Sequence, residues 1–414
     1  MSLPVQRITI VTETYAPEVN GVAHTLSTLV SGMRARGIKV QIIRPRQHKH
    51  DTQEHNTQEP DTLTLPGLPI PNYPEMKFGL PYYRRVRNAI QHFQPQAIYV
   101  ATEGPLGWAA TKAAEKIGIS VVSGFHTNFH QYSAHYNLGI ISNLGYRYMR
   151  WFHNRTAATL VPTQQQADEL TSHGFERVRV MARGVDSQRF SPEKRSAELR
   201  KEWGVKENDL VLLYVGRIAA EKNLQLVVRT YEALKNQDDR IRLVLVGDGP
   251  ELEGIRQRHP DVIAAGIQRD NDLTTHFASG DIFLFPSLTD TFGNVVTEAL
   301  ASGLGLVSFD YAAAHEHTQH EHSAMLADFG NEAAFIRAAL SLIERPNLLK
   351  TLRQNARATA SDISWDSIID EFLQHLSQST AHTLNTAHIE VTSHGRTQTA
   401  PSKSRVSVPQ SGSL

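Results

Sequence analysis

The stretch PSLTDTFGNVVTEALASG (286–303) carries two acids, Asp290 and Glu298, with a Phe-Gly-Asn turn and an apolar run between them. Carboxylates so placed suit an acid–base pair, a metal site, or two groups that hold different parts of one ligand. The turn Phe292-Gly293-Asn294 stands directly before a helical pattern that begins with Val295 and Val296. Free backbone N–H groups at such a start, aligned with the helix dipole, form an anion site, and Gly293 lets the backbone approach a phosphate closely. A capped helix with a surface Glu explains the same segment with no ligand at all.

Three further segments have residue types suited to chemistry. In YVGRIAAEKNL (214–224), Arg217 and Lys222 follow a strand that ends at Gly216. A planar guanidinium fork and a point-charge ammonium suit a diphosphate; a solvated turn is the plainer reading. In YAPEVNGVAHTL (15–26), Asn20-Gly21 leads into a helix whose first amides suit the same anion, although a single Gly lacks the spacing of a dinucleotide fingerprint. In GFHTNFHQYSAHY (124–136), His126 stands just beyond a strand, a position that faces the ligand crevice in open α/β sheets. The tract HEHTQHEH (315–322) is rich in His but is not a HExxH motif, and no acid stands at a matching third position. Its expected role is adventitious metal binding, with no catalytic metal and no cofactor.

The elements that must position these residues read as alternating strands and helices. Apolar, β-branched runs at 7–11, 39–43, 97–101, 120–125 and 159–163 are strand candidates, with helical patterns between most of them. The pattern restarts at 210–216 and continues through 241–246, 282–286 and 304–309. Alternation of this kind predicts parallel sheets covered on both faces, in two doubly wound domains joined near 184–205. The ligand is then expected where the carboxyl ends of the two sheets face each other. Residues 46–62 are polar and aperiodic and read as a mobile loop, and the Ser/Thr/Gln/His-rich residues from about 380 onward read as a disordered tail.

Composition narrows the function classes. Lys+Arg and Asp+Glu are equal at 42 each, so no global field draws in nucleic acid. With no cysteine, disulfides, thiolate nucleophiles and cysteine metal sites are excluded. The first residues lack the charged and long apolar regions of a signal peptide, and no apolar run has the length of a membrane span. The expected place is the cytoplasm, with peripheral contact at an anionic inner membrane face. Two stretches that interleave aromatic and basic residues, PYYRRVRNAIQHF (81–93) and GYRYMRWFHNR (145–155), suit such contact, and equally suit ordinary amphipathic helices packed on a sheet.

Taken in order and spacing, GRIAAEKN, LVGDGPELE (245–253) and PSLTDTFGNVVTEALASG resemble the retaining nucleotide-sugar glycosyltransferases called GT-B, in the family termed group 1 or family 4. The resemblance runs from about residue 6 to 375. It implies an α/β GT-B fold of two Rossmann-like domains, one over 1–190 on the acceptor side and one over 191–362 for the donor. A helix over 363–379 would cross back to the first domain, with a disordered tail over 380–414. By the same resemblance Arg217 and Lys222 hold the donor diphosphate, with backbone amides of Gly21 and of Phe292, Gly293, Asn294 and Val295. Glu298 binds the ribose, Asp290 meets the sugar hydroxyls, and His126 lies near the anomeric centre, so His126 and Asp290 are the expected catalytic residues. The chain departs from the pattern at Asp290, where the family usually has Glu, and at Gly305, where it commonly has Pro.

The closest branch builds glycolipids and includes GDP-mannose-dependent mannosyltransferases and sulfoquinovosyl-diacylglycerol synthases. The implied reaction moves a hexose, from GDP-mannose ahead of a UDP-sugar, to a lipid such as diacylglycerol or a glycolipid. Competing readings are a UDP-sugar-dependent transferase to diacylglycerol, a GT-B epimerase or phosphorylase, and a two-lobed sugar-binding protein.

Overall fold

The computed structural model describes residues 5–18, 20–46, 61–70, 73–126 and 139–394. All but two of the strands lie in two parallel sheets. The first comprises β1 (Arg7–Val11), β2 (Lys39–Pro45), β3 (Thr62–Leu65), β6 (Ala97–Val100), β7 (Ser120–Gly124), β8 (Ala158–Val161) and β9 (Val178–Val180), in the order β3-β2-β1-β6-β7-β8-β9. A hairpin, β4 (Gly67–Ile70) and β5 (Tyr73–Gly79), stands apart from it. The second sheet comprises β10 (Leu210–Val215), β11 (Ile241–Val246), β12 (Ile263–Gly266), β13 (Ile282–Phe285), β14 (Gly305–Phe309) and β15 (Ala324–Ala327), in the order β12-β11-β10-β13-β14-β15.

Strands buried on both faces need apolar residues at every position, which is why the runs IRLVLV and IFLF show no alternation. In the first sheet Ile8, Ile10, Val40 and Ile42 pack on the helix Gly21–Ala35, which buries Leu26, Leu29, Val30 and Met33. In the second, Leu243, Leu245 and Ile282 pack on the helix Leu224–Lys235. Two strands that the apolar runs do not reveal are short and only partly buried: β9 is intermediate at all three positions and β12 at all four.

The last helix, Trp365–His394, returns to the first sheet. Ile368, Ile369, Phe372 and Leu376 join the core of Ile8, Tyr99 and Val122, and Phe372 meets the Tyr99 ring edge-on at 5.0 Å. This helix extends past residue 380, where a disordered tail was expected to start. Residues 381–394 contain no Gly or Pro. The expected loop at 46–62 falls mostly outside the described residues, apart from Arg46 and the start of β3.

The chain passes between the two sheets twice, and the passages are tied together. Val185 N–H donates to the Ile363 carbonyl at 2.9 Å, and Val185 bridges Ser364. Gly184 is required there, because a Cβ would meet the Trp365 backbone at 2.7 Å.

Candidate active site

In the second sheet, β10 is flanked by β11 on one side and by β13 on the other, so the loops after β10 and β13 diverge and leave a crevice at their carboxyl ends. Arg217 and Lys222 lie on the first of these loops, and Asp290 and the Phe-Gly-Asn turn on the second. The first sheet reverses at β1, flanked by β2 and β6. The loop after β1 leads to Gly21, and the loop after β7 carries His126.

The helix Asn294–Ala301 starts from Gly293, whose φ of 85° is a left-handed conformation that glycine adopts without the cost of a Cβ. No side chain caps this start. Opposite it, the helix Gly21–Ala35 is capped by Asn20, whose Oδ1 accepts from Ala23 N–H at 2.9 Å. The first amides of each helix fall outside the intrahelical ladder. The two helix starts lie close together, since a Cβ on Gly21 would lie 3.8 Å from Asn294 Nδ2. Two positive dipole ends from opposite sheets therefore converge on one space.

Around this space the side chains are engaged with one another. Lys222 Nζ donates to Asp290 Oδ2 at 2.8 Å, with 21% of each side chain exposed. Arg217 is half exposed and faces Glu221 at 3.4 Å. Thr291 Oγ1 donates to the His126 carbonyl at 3.3 Å, which links the turn of the second sheet to the first. Phe292 buries its ring in the core and stacks edge-on against His317, and its carbonyl accepts from Ala313 N–H at 2.9 Å. The side chain of Phe292 thus anchors the turn from below and leaves the crevice to its neighbours. Val295 is partly buried against the same core.

His126 has both ring nitrogens engaged. Arg183 Nη2 donates to Nδ1 at 3.0 Å, and Nε2 lies 3.0 Å from Tyr99 Oη. A guanidinium only donates, so Nδ1 is unprotonated and the proton sits on Nε2. Burial, then the charge of Arg183, holds the His126 pKa well below the usual histidine range. The imidazole is neutral and has no nitrogen free to exchange a proton.

Comparison with known proteins places the chain in a family. Residues 19–189 match the family model for Glycosyltransferase Family 4, and residues 195–359 match that for Glycosyl transferases group 1. A GDP-mannose-dependent alpha-mannosyltransferase of Corynebacterium glutamicum is 28% identical over 369 residues, covering 89% of this chain and 88% of that protein. A sulfoquinovosyl transferase of Arabidopsis thaliana is 32% identical over 248 residues, covering 58% of this chain and 48% of that protein. This chain is a glycosyltransferase, with a family 4 domain followed by a group 1 domain. The fold of the glycosyltransferase is GT-B, as in two solved structures. Sucrose-phosphate synthase from Thermosynechococcus elongatus matches with a TM-score of 0.74 at 16% identity, covering 91% of this chain and 100% of that one. Anabaena HepE in complex with UDP matches with a TM-score of 0.71 at 19% identity, covering 90% and 100%.

Glu298 of the glycosyltransferase opens into a cavity of about 420 Å³ between the two sheets, lined among others by His24, Asp186, Arg189, Asn294 and Trp365. Burial raises its pKa to about 7, with Arg189 pulling the other way. Among the described residues no group of three or more His, Asp or Glu is placed to hold a metal ion. In the His-rich tract His315 pairs with Asp310 at 2.8 Å, and His320 Nδ1 accepts from Leu326 N–H at 3.0 Å.

Arg183 is a residue of this site that the sequence does not reveal. It is only 4% exposed, and among the described residues its buried Nη1 has no hydrogen-bond partner. In the chain it reads as one cation in the turn MARGVD, and no periodic pattern marks it for burial.

Proposed function

We propose that this enzyme transfers a hexose, with retention of configuration, from a nucleoside-diphosphate sugar to a lipid or glycolipid acceptor, with GDP-mannose as donor. The observation that carries the donor reading is the closeness of the helix N-termini at Gly21 and Asn294, on the loops' side of the sheets that also carries Lys222 and Arg217. The diphosphate lies between them, within reach of the amides of the 292–295 turn. Glu298 accepts from the ribose hydroxyls in its cavity, and Asp290 meets the hydroxyls of the sugar. Relatives named GDP-mannose-dependent alpha-mannosyltransferase, sulfoquinovosyl transferase and alpha-monoglucosyldiacylglycerol synthase support the sugar donor and the lipid class of acceptor.

In the reaction the bond from the anomeric carbon to the β-phosphate oxygen breaks, and its electron pair leaves with the diphosphate. The acceptor oxygen bonds to the anomeric carbon on the same face, and its proton passes to the departing phosphate. Cations and oriented amides stabilise the charge that develops on that phosphate. His126 contributes through its place beneath the sugar and through its carbonyl contact to Thr291, because its ring nitrogens are both occupied.

Membrane contact belongs to the same proposal. On the helix Gly139–His153, Leu144, Tyr148 and Trp151 fall at i, i+4 and i+7 and are 68%, 39% and 44% exposed. Arg155 stacks over Trp151 at 5.2 Å, and Tyr148 Oη donates to the Glu103 carbonyl, beyond the end of β6. An aromatic band with flanking arginines suits the interface of an anionic bilayer. Among the described residues no helix is long and apolar enough to cross a membrane.

The test is a melting panel with GDP-mannose, UDP-glucose and ADP-glucose, followed by transfer from the selected donor to acceptor lipids in vesicles. A ligand at about 100 times its Kd adds roughly 2.7 kcal/mol to stability, enough for a clear shift. GDP-mannose alone should shift the melt. A shift by UDP-glucose alone moves the donor assignment to a UDP-sugar, and no shift by any of the three refutes the reading.

A further inference from the structure

A buried guanidinium is normally paired. Arg200, 6% exposed, shows the rule in this protein: it meets the Asp281 carboxylate at 3.1 Å and the carbonyls of Ser279 and Asp209 at 2.9 and 2.7 Å. Arg183 is buried as deeply and has none of this. Its hydrogen-bond partner is the neutral His126 ring, and the titratable groups whose charges couple to it are Tyr99, His126 and His24. None is a carboxylate, and burial pulls the guanidinium pKa down to about 10. An unpaired charge in a low-dielectric setting is costly, so this arrangement calls for an anion.

Position identifies that anion. Arg183 holds His126, whose carbonyl accepts from Thr291; Thr291 follows Asp290, the partner of Lys222. His24, the third group near Arg183, lies in the first turn of the Gly21–Ala35 helix, whose start faces Asn294. Arg183 therefore stands beside the space where the two helix starts converge, on the side of the first sheet. Arg217 and Lys222 approach the same space from the second sheet.

We propose that Arg183 is a third cation for the donor diphosphate, supplied by the first sheet and directed at the phosphate nearest the sugar. The inference rests on the nucleotide-sugar reading above. Among the described residues, Arg183 keeps one guanidinium nitrogen on His126 and the other has no partner. With donor bound, a phosphate oxygen takes up that nitrogen, and the guanidinium joins the two halves of the site through the leaving group.

The experiment measures GDP and GMP affinity by calorimetry for the wild type, Arg183→Lys and Arg183→Met. Wild-type protein that binds neither nucleotide refutes the donor assignment and takes this proposal with it. Where the wild type binds both, Arg183→Met should lose about tenfold or more in GDP affinity, as expected for a lost charge-assisted hydrogen bond, and keep its GMP affinity. Arg183→Lys, which keeps the charge, should recover most of the loss. Equal weakening of GDP and GMP, or unchanged GDP binding in a folded Arg183→Met, overturns the proposal and leaves Arg183 as a support for His126. Should Arg183→Met fail to fold, a structure of the wild type with GDP decides: a phosphate oxygen within hydrogen-bond distance of Arg183 supports the proposal, and its absence overturns it.

Discussion

The ion pair between Lys222 and Asp290 makes the sharpest prediction, because in the unliganded protein each is the other's partner. At 2.8 Å, Coulomb's law with an effective dielectric of about 20 gives roughly 6 kcal/mol of gross attraction. Most of that is lost to desolvation of the two groups, and with a fifth of each side chain exposed the net stability is about 1 kcal/mol or less. Breaking the pair should therefore leave folding nearly unchanged. Ligand binding is different. Lys222→Ala removes a charged hydrogen bond to the diphosphate, about 1.5–3 kcal/mol, or roughly 10- to 150-fold in GDP affinity. Asp290→Asn has the opposite effect on binding, since it removes the carboxylate that competes with the phosphate for the same ammonium. GDP should bind the Asn variant at least as tightly as the wild type, while sugar transfer falls. Calorimetric titration with GDP and a radiolabelled transfer assay read the two effects separately. If Asp290→Asn weakens GDP as much as Lys222→Ala does, then Asp290 does not compete with the phosphate and the argument fails.

Two other outcomes follow from the same physics. Asp281, 4% exposed at its side chain, faces Arg200 at 3.1 Å, Arg195 at 2.9 Å and Arg353 at 3.2 Å, so Asp281→Ala leaves three guanidiniums without their shared counter-ion. It should cost about 3–5 kcal/mol in denaturant unfolding, and a loss under about 1 kcal/mol would show that the cluster is solvent-screened. Glu298, held at about 7 in the folded protein against 4.5 in the unfolded chain, binds more protons when folded between those values, so stability falls as pH rises through that window. Glu298→Gln removes this slope: relative to the wild type it should melt higher at pH 8 than at pH 5 while binding donor less tightly, and parallel melting curves at both pH values would refute the burial argument.

How much of this was legible beforehand depends on what each residue needs in order to be recognised. The runs at β1, β10, β11 and β13 announce themselves because a strand covered on both faces is mostly apolar. β9 and β12 do not, since partial burial tolerates a mixed sequence such as VRV. The Phe-Gly-Asn turn is readable because a left-handed residue before a helix start favours Gly. The extension of the last helix past residue 380 is hard to read because a polar composition resembles disorder, even though 381–394 contain no Gly or Pro.

The sequence by itself determined the two parallel sheets, the loops that carry Arg217, Lys222 and Asp290, the helix that carries Glu298, and the family to which they belong. These are local properties: runs of apolar residues, a glycine at a turn, charges at strand ends. Only the tertiary structure decided that Lys222 lies against Asp290, that both nitrogens of His126 are occupied, that Glu298 opens into a cavity between the sheets, and that Arg183 is buried with no counter-ion among the described residues. Each of these depends on contacts between residues some 27 to 170 positions or more apart in the chain, and no periodicity in a sequence records which distant groups will share a low-dielectric space.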